Sequence, residues 1–111
     1  MDTRSDARRL ETTLESYGAV VRWQPLAGVY GYLQPELQPT TPPPGLDNIR
    51  ITGYEVTAPP RQLAKDRVVQ TVTIEYVRVD TQRLYTLVDS QLWIRAANGD
   101  CERANPIPEF K

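Results

Sequence analysis

Apolar residues in the first part of the chain fall at Ala7, Leu10, Leu14, Tyr17 and Val21. The spacings alternate between three and four, which draws one stripe down a helix and predicts an α-helix from Thr3 to about Val21. Thr3 or Ser5 is placed to cap it, with Asp6 in the first turn. Gly18 reads either as the C-cap that ends this helix or as a weak point inside it. Val20, Val21 and Trp23 then anchor the chain to the core. A second, shorter helix is predicted from Pro25 to about Leu33, because Leu26, Val29, Tyr30 and Leu33 share a face and proline suits a first helical position. Gly28 and Gly31 weaken it, and Pro35 turns Gln34 away from helix. A single turn at Glu36-Leu37 follows.

The pattern then changes period. Residues 38–47 hold Pro39, Pro42, Pro43, Pro44 and Gly45, which exclude both helix and sheet interior. They read as a stiff connector in place of a ligand for a proline-reading module. Ile49 and Ile51 alternate as in a strand, and Tyr54 and Val56 continue with the phase slipped by one residue at Gly53, the mark of a β-bulge. Ala58-Pro59-Pro60 is expected to end this strand, leaving residues 61–66 as a polar loop. Arg67–Val79 and Arg83–Ala96 are rich in Val, Thr, Ile, Tyr and Leu and flank a short turn, so they predict a hairpin. A two-residue loop sets Tyr76 against Tyr85 and Ile74 against Leu87; a three-residue loop sets Ile74 against Val88. Arg78 opposite Arg83 weighs against the first register. Asn98-Gly99 tolerates the positive φ of a tight turn and predicts a last strand, Asp100 to about Asn105. Pro106 and Pro108 stop it, and Ile107 and Phe110 are expected to tuck under a sheet edge.

The whole is one α+β domain over residues 1–111, with a helical part (1–37), a Pro-rich connector (38–47) and an antiparallel meander (48–111). N-terminal helices pack on a curved, cone-like antiparallel sheet of about four strands. The connections are too short for parallel crossovers. The long hairpin is apolar on both sides. In the first strand Val68, Val72, Ile74 and Tyr76 share one parity and Val69, Val77 and Val79 the other. The second strand carries Leu84, Val88, Leu92 and Ile94 on one side and Tyr85, Leu87 and Trp93 on the other. A half-solvated strand alternates cleanly, and one helical layer shelters only one side. A second face of this kind calls for a curl of the sheet, a ligand or a partner chain, and a homodimer through it is expected.

Composition narrows the chemistry. The 111 residues fit one domain, with 13 basic and 14 acidic residues and a net charge of −1. Only Arg4, Arg8 and Arg9 cluster, as a solvated helix face does, so no nucleic-acid footprint is expected. No run approaches the length of a transmembrane span. With one cysteine, Cys101, no internal disulfide forms. With no histidine, a zinc-type site and the commonest general base are both missing, so neither metal nor cofactor is expected. Cys101 has no activating neighbour in sequence and reads as a small inert side chain.

Arg22-Trp23, Tyr32-Leu33-Gln34-Pro35-Glu36, Ile51-Thr52-Gly53-Tyr54-Glu55-Val56, Thr73-Ile74-Glu75-Tyr76 and Asn105-Pro106-Ile107-Pro108-Glu109-Phe110 are similar to segments of small bacterial envelope proteins. Helices followed by a bent meander resemble the nuclear-transport-factor-2-like superfamily, whose cone-shaped fold is shared with ketosteroid isomerase and related to cystatin-like folds. The resemblance implies a domain that often follows a lipoprotein signal. The expected compartment is therefore the cell envelope or periplasm with the export signal removed, the cytoplasm being the alternative. The superfamily's third helix, inserted after the first strand, has no counterpart here, which argues against a closed enzyme-like pocket.

Enzymes of that superfamily pair a carboxylate base with a tyrosine donor, but none of their motifs matches residue by residue. Two carboxylates flanked by apolar residues are the catalytic candidates: Asp89, whose pKa would rise if it faced a pocket, and Glu75. Otherwise each is an outward charge that keeps the sheet soluble. Tyr54, Tyr76, Tyr85 and Trp93 are the candidate ligand-binding side chains, with packing at the core and its edge as their other reading. Trp23 is read as core. The expected function is a non-enzymatic binding or assembly domain, dimeric, with a small apolar ligand or a peptide as further partner. The alternative is a small isomerase- or dehydratase-like enzyme using Asp89 or Glu75.

Overall fold

The computed structural model describes residues 3–110, with side chains from Ala7 onward. Caps expected at Thr3 or Ser5, and the roles given to Arg4 and Asp6, therefore lie outside the described side chains. An N-terminal helix, α1 (Thr3–Trp23), packs on a four-stranded antiparallel sheet in the order β1 (Ile49–Ala64), β2 (Arg67–Arg78), β3 (Arg83–Arg95) and β4 (Cys101–Arg103). The stripe of α1 faces the sheet: Tyr17 and Val21 are buried, Leu10 and Leu14 half-buried against the core, and Ala7 exposed.

Gly18 does not end α1, which runs on to Trp23. It is the point where the helix closes on the sheet, since a Cβ there would lie 2.9 Å from Cε1 of Tyr54 on β1. Trp23 corrects its reading as core: it is 73% exposed, just past the last buried position, Val21. The Arg22 guanidinium lies 4.1 Å from its ring centroid and Arg22 Nη1 donates to the Ile51 carbonyl at 3.0 Å, so the charge and the ring shield each other at the helix end.

The second helix is a 3-10 helix, Leu26–Tyr32, rather than an α-helix. Three residues per turn eclipse side chains at i and i+3, so Leu26, Val29 and Tyr32 line up toward the core. Two glycines remove the propensity that would favour the wider α-turn. Shorter 3-10 turns follow at Pro35–Leu37 and Leu46–Asn48, the latter entered through Gly45 at φ +87°.

β1 corrects a second expectation. It does not stop at Pro59-Pro60 but runs to Ala64 and turns into β2 through Lys65-Asp66, so residues 61–64 are strand and not loop. Both prolines sit in an edge strand between the pairs Ala58–Thr71 and Arg61–Val69, where an irregular ladder tolerates their missing N–H groups. The bulge read at Gly53 is present, with Thr52 as the extra residue between the pairs Ile51–Tyr76 and Gly53–Glu75.

β2 and β3 pair in the register that sets Tyr76 against Tyr85 and Ile74 against Leu87. Paired residues end at Arg78–Arg83, which leaves a four-residue turn, Val79–Gln82, with Gln82 at φ +57°. The turn places Asp80 3.6 Å from Arg78 Nε, which offsets the arginine pair that argued against this register. Gly99, at φ +91°, makes the last turn as expected, and β4 is shorter than predicted.

The register divides the sheet into a covered face and an open face. The covered face carries Ile51, Val72, Ile74, Tyr76 and Trp93, which join Tyr17, Val21, Leu26 and Val29 in one buried cluster. Ile107 and Phe110 fold back against this cluster, with the Phe110 ring 5.2 Å from that of Tyr76.

Candidate functional site

Asp89 stands on the covered face of β3, opposite Val72, and is 3% exposed. Its outward reading is thereby corrected: odd-numbered residues of β3 from Tyr85 to Trp93 point under the helix. Nor does it face a pocket. Arg103 of β4, itself 0% exposed, clasps both carboxylate oxygens, with Nη2 donating to Oδ1 at 2.7 Å and Nη1 to Oδ2 at 2.9 Å. Arg103 Nη1 also donates to the Tyr17 hydroxyl (2.9 Å), Nε to the Asn105 carbonyl (3.1 Å) and Nη2 to the Pro106 carbonyl (3.0 Å). Burial works against the guanidinium charge, but the hydrogen bonds and charge of Asp89 outweigh it, with help from Tyr17, and raise its pKa above the ordinary value.

Gln91 extends the cluster. Its Nε2 donates to Asp89 Oδ2 (3.0 Å) and to the Tyr54 hydroxyl (3.1 Å), and its Oε1 accepts from Gln70 Nε2 (2.8 Å) and Trp93 Nε1 (3.0 Å). No buried side-chain nitrogen or oxygen among the described residues lacks a partner. Such saturation fits a structural role: the Asp89 oxygens are taken up by fixed donors, and a general base needs one free to take a proton. Tyr17, shut inside with Arg103, has its hydroxyl pKa pushed well up by burial.

The other predicted residues separate. Glu75 is exposed on the open face, away from every cavity described here. Tyr76 and Tyr85 stack on each other at 5.4 Å, and Tyr76 is buried. Trp93 is 1% exposed and packs edge-on against Tyr17 at 5.1 Å. Of the four ligand-binding candidates, Tyr54 lines a cavity between helix and sheet. Cys101 is half-buried and its thiol pKa is raised, chiefly by burial. Among the described residues no group of acidic or cysteine side chains is placed to hold a metal ion.

That cavity is a groove of about 550 Å3 between α1 and β1. Its walls are Leu10, Leu14 and Gly18 on the helix and Tyr54, Val56 and Pro60 on the strand. Gln70, 4% exposed, also lines it and links it to the polar cluster through Gln91. Sequence reading found Tyr54 but missed the groove, because its strand wall runs on through Pro60, past the expected end of β1.

The open face has a different character. Val69, Val77, Leu92 and Ile94 are half-buried, Leu84 is 63% and Val88 66% exposed, and Thr71, Thr73, Thr86 and Ser90 lie among them. By the register, Arg50, Glu55, Arg61, Arg67 and Glu102 stand around this centre, and Glu75 of the interior strand β2 stands within it. None of the described helices packs on it. No family model, curated protein or solved structure matches the chain.

Proposed function

We propose that the chain is a non-enzymatic assembly domain whose open sheet face docks on the same face of a second copy. The supporting observation is the make-up of that face: an aliphatic and threonine centre, uncovered, inside a rim that carries both signs of charge. An isologous two-fold interface sets each residue of the patch against another residue of the same patch, so a single-sign rim would repel itself and a mixed rim can match itself. The strand spacing and rise give a face of roughly 600 Å2, of the order of the ~800 Å2 each partner contributes to a stable interface. The enzyme alternative gains no support, since Asp89 is closed off by Arg103 and Glu75 lies in the open.

Light scattering over a concentration series tests the proposal. Wild-type protein is expected to reach twice the mass of the chain. Val88→Glu, which places a carboxylate at the most exposed aliphatic position of the face on both copies, is expected to hold the chain monomeric with an unchanged circular dichroism spectrum. A wild-type monomer at every concentration, or a Val88→Glu variant that still dimerises, would overturn it.

A further inference from the structure

The groove between α1 and β1 lies on the other side of the sheet from the proposed interface. Its walls are almost wholly apolar, and its volume of about 550 Å3 is in the range of small-molecule sites, roughly 300–1,000 Å3. Two polar groups meet it, and both are held in place from behind. The Tyr54 hydroxyl accepts from Gln91 Nε2 and keeps its own proton to donate; burial raises its pKa, so that proton stays on. The Gln70 carboxamide donates to Gln91 Oε1 through Nε2, which leaves its oxygen as an acceptor. Among the described residues the charge at the groove is of one sign: Glu11 and Glu15 of α1 line it, and no described lysine or arginine does. The helix can approach β1 closely enough to form the groove only because position 18 is glycine.

We infer that this groove is a binding site for a small neutral amphiphile, an apolar body ending in one group that both donates and accepts a hydrogen bond, such as an alcohol or an amide. The apolar walls take the body, Tyr54 and Gln70 take the head, and the two glutamates turn anions away. An acidic amphiphile would bring a charge toward Glu11 and Glu15, with no cation among the described lining residues to receive it. The site is independent of self-association, because none of its residues belongs to the open face.

Fluorescence titration with N-phenyl-1-naphthylamine, a neutral apolar probe with one N–H, tests this directly. Saturable enhancement at one probe per chain is expected, with the sulfonated probe 8-anilino-1-naphthalenesulfonate about tenfold weaker or worse. Ala7→Trp fills the groove from an exposed helix position, where folding is not at stake, and is expected to weaken the neutral probe by about tenfold or more. Displacement of the probe by 1-naphthol, whose hydroxyl both donates and accepts, is expected to weaken about fivefold in Tyr54→Phe, which removes the donor and keeps the ring. Val88→Glu, the interface variant, is expected to bind as wild type does. Non-saturating enhancement, equal affinity for the two probes, or Ala7→Trp binding like wild type would overturn the site. So would a fall in mass caused by Val56→Glu in a wild-type dimer that excludes the probe, since a second chain would then occupy the groove.

Discussion

Asp89 and Glu75 stand in adjacent strands of one sheet, each preceded by an aliphatic residue, and they meet opposite surroundings. Asp89 lies under α1, clasped at both oxygens by Arg103 and touched by Gln91. Glu75 lies on the open face in contact with solvent. The same contrast holds for the two faces as wholes. Under the helix every buried polar side chain among the described residues is partnered, and aromatic rings fill the remaining space. On the other side aliphatic residues stay exposed and the charges, Glu75 apart, keep to the rim. A sheet tolerates buried charge where the geometry supplies a matched partner, and exposed aliphatic surface where that surface has another use.

The strongest way to break this comparison is to remove one half of the ion pair. Arg103→Met leaves the Asp89 carboxylate buried and uncompensated, with an expected loss of about 3–5 kcal/mol, a large part of the stability of a domain this size. Urea unfolding should show that the double variant Asp89→Leu/Arg103→Met recovers most of it. A single variant as stable as wild type would mean that water reaches the pair.

Next in size is the aliphatic contrast. Ile74→Ala, at 1% exposure on the covered face, is expected to cost about 2–5 kcal/mol. Val88→Ala, at 66% exposure on the open face, should stay within about 0.5 kcal/mol when measured at dilutions that keep the chain monomeric. Equal losses would show the open face to be packed.

The smallest effect belongs to the turn between β2 and β3. The Asn48 side chain, with Arg78, holds the Asp80 carboxyl below its ordinary value of 3.8. A carboxyl lowered in the folded state adds stability that is complete above the unfolded value and is lost as pH falls through the folded one. Wild type and Asp80→Asn should therefore differ near neutrality and converge in acid. Asp80 is fully exposed, so a difference that persisted into strong acid would assign the effect to backbone geometry and not to charge.

Much of this arrangement was legible in the residues. The helix stripe, the bulge at Gly53 and the turn at Asn98-Gly99 each have a local cause, either a period or a φ requirement. The β2–β3 register was one of two left open, and what argued against it, Arg78 opposite Arg83, is relieved by Asp80, a neighbour that only the turn brings close. Trp23 and Asp89 were misplaced for a shared reason. Each residue type has a usual location, and each is overridden by one distant partner: Ile51 holds Arg22 across Trp23, and Arg103 receives Asp89. Pairings between distant positions leave no period to read. The continuation of β1 past Pro59-Pro60 escaped notice because the rule against proline in strands holds for interior strands, and the sheet order makes β1 an edge.

Arg103 also has a bearing on how the molecule comes to be made. Its guanidinium joins β4 to Tyr17 in the first helix, 86 positions away, and its backbone carbonyl accepts from Gln34. Asp89 lies 14 positions before its counter-charge and Tyr17 lies 86 before it, so the covered core closes through contacts of high sequence separation, the kind that slows folding.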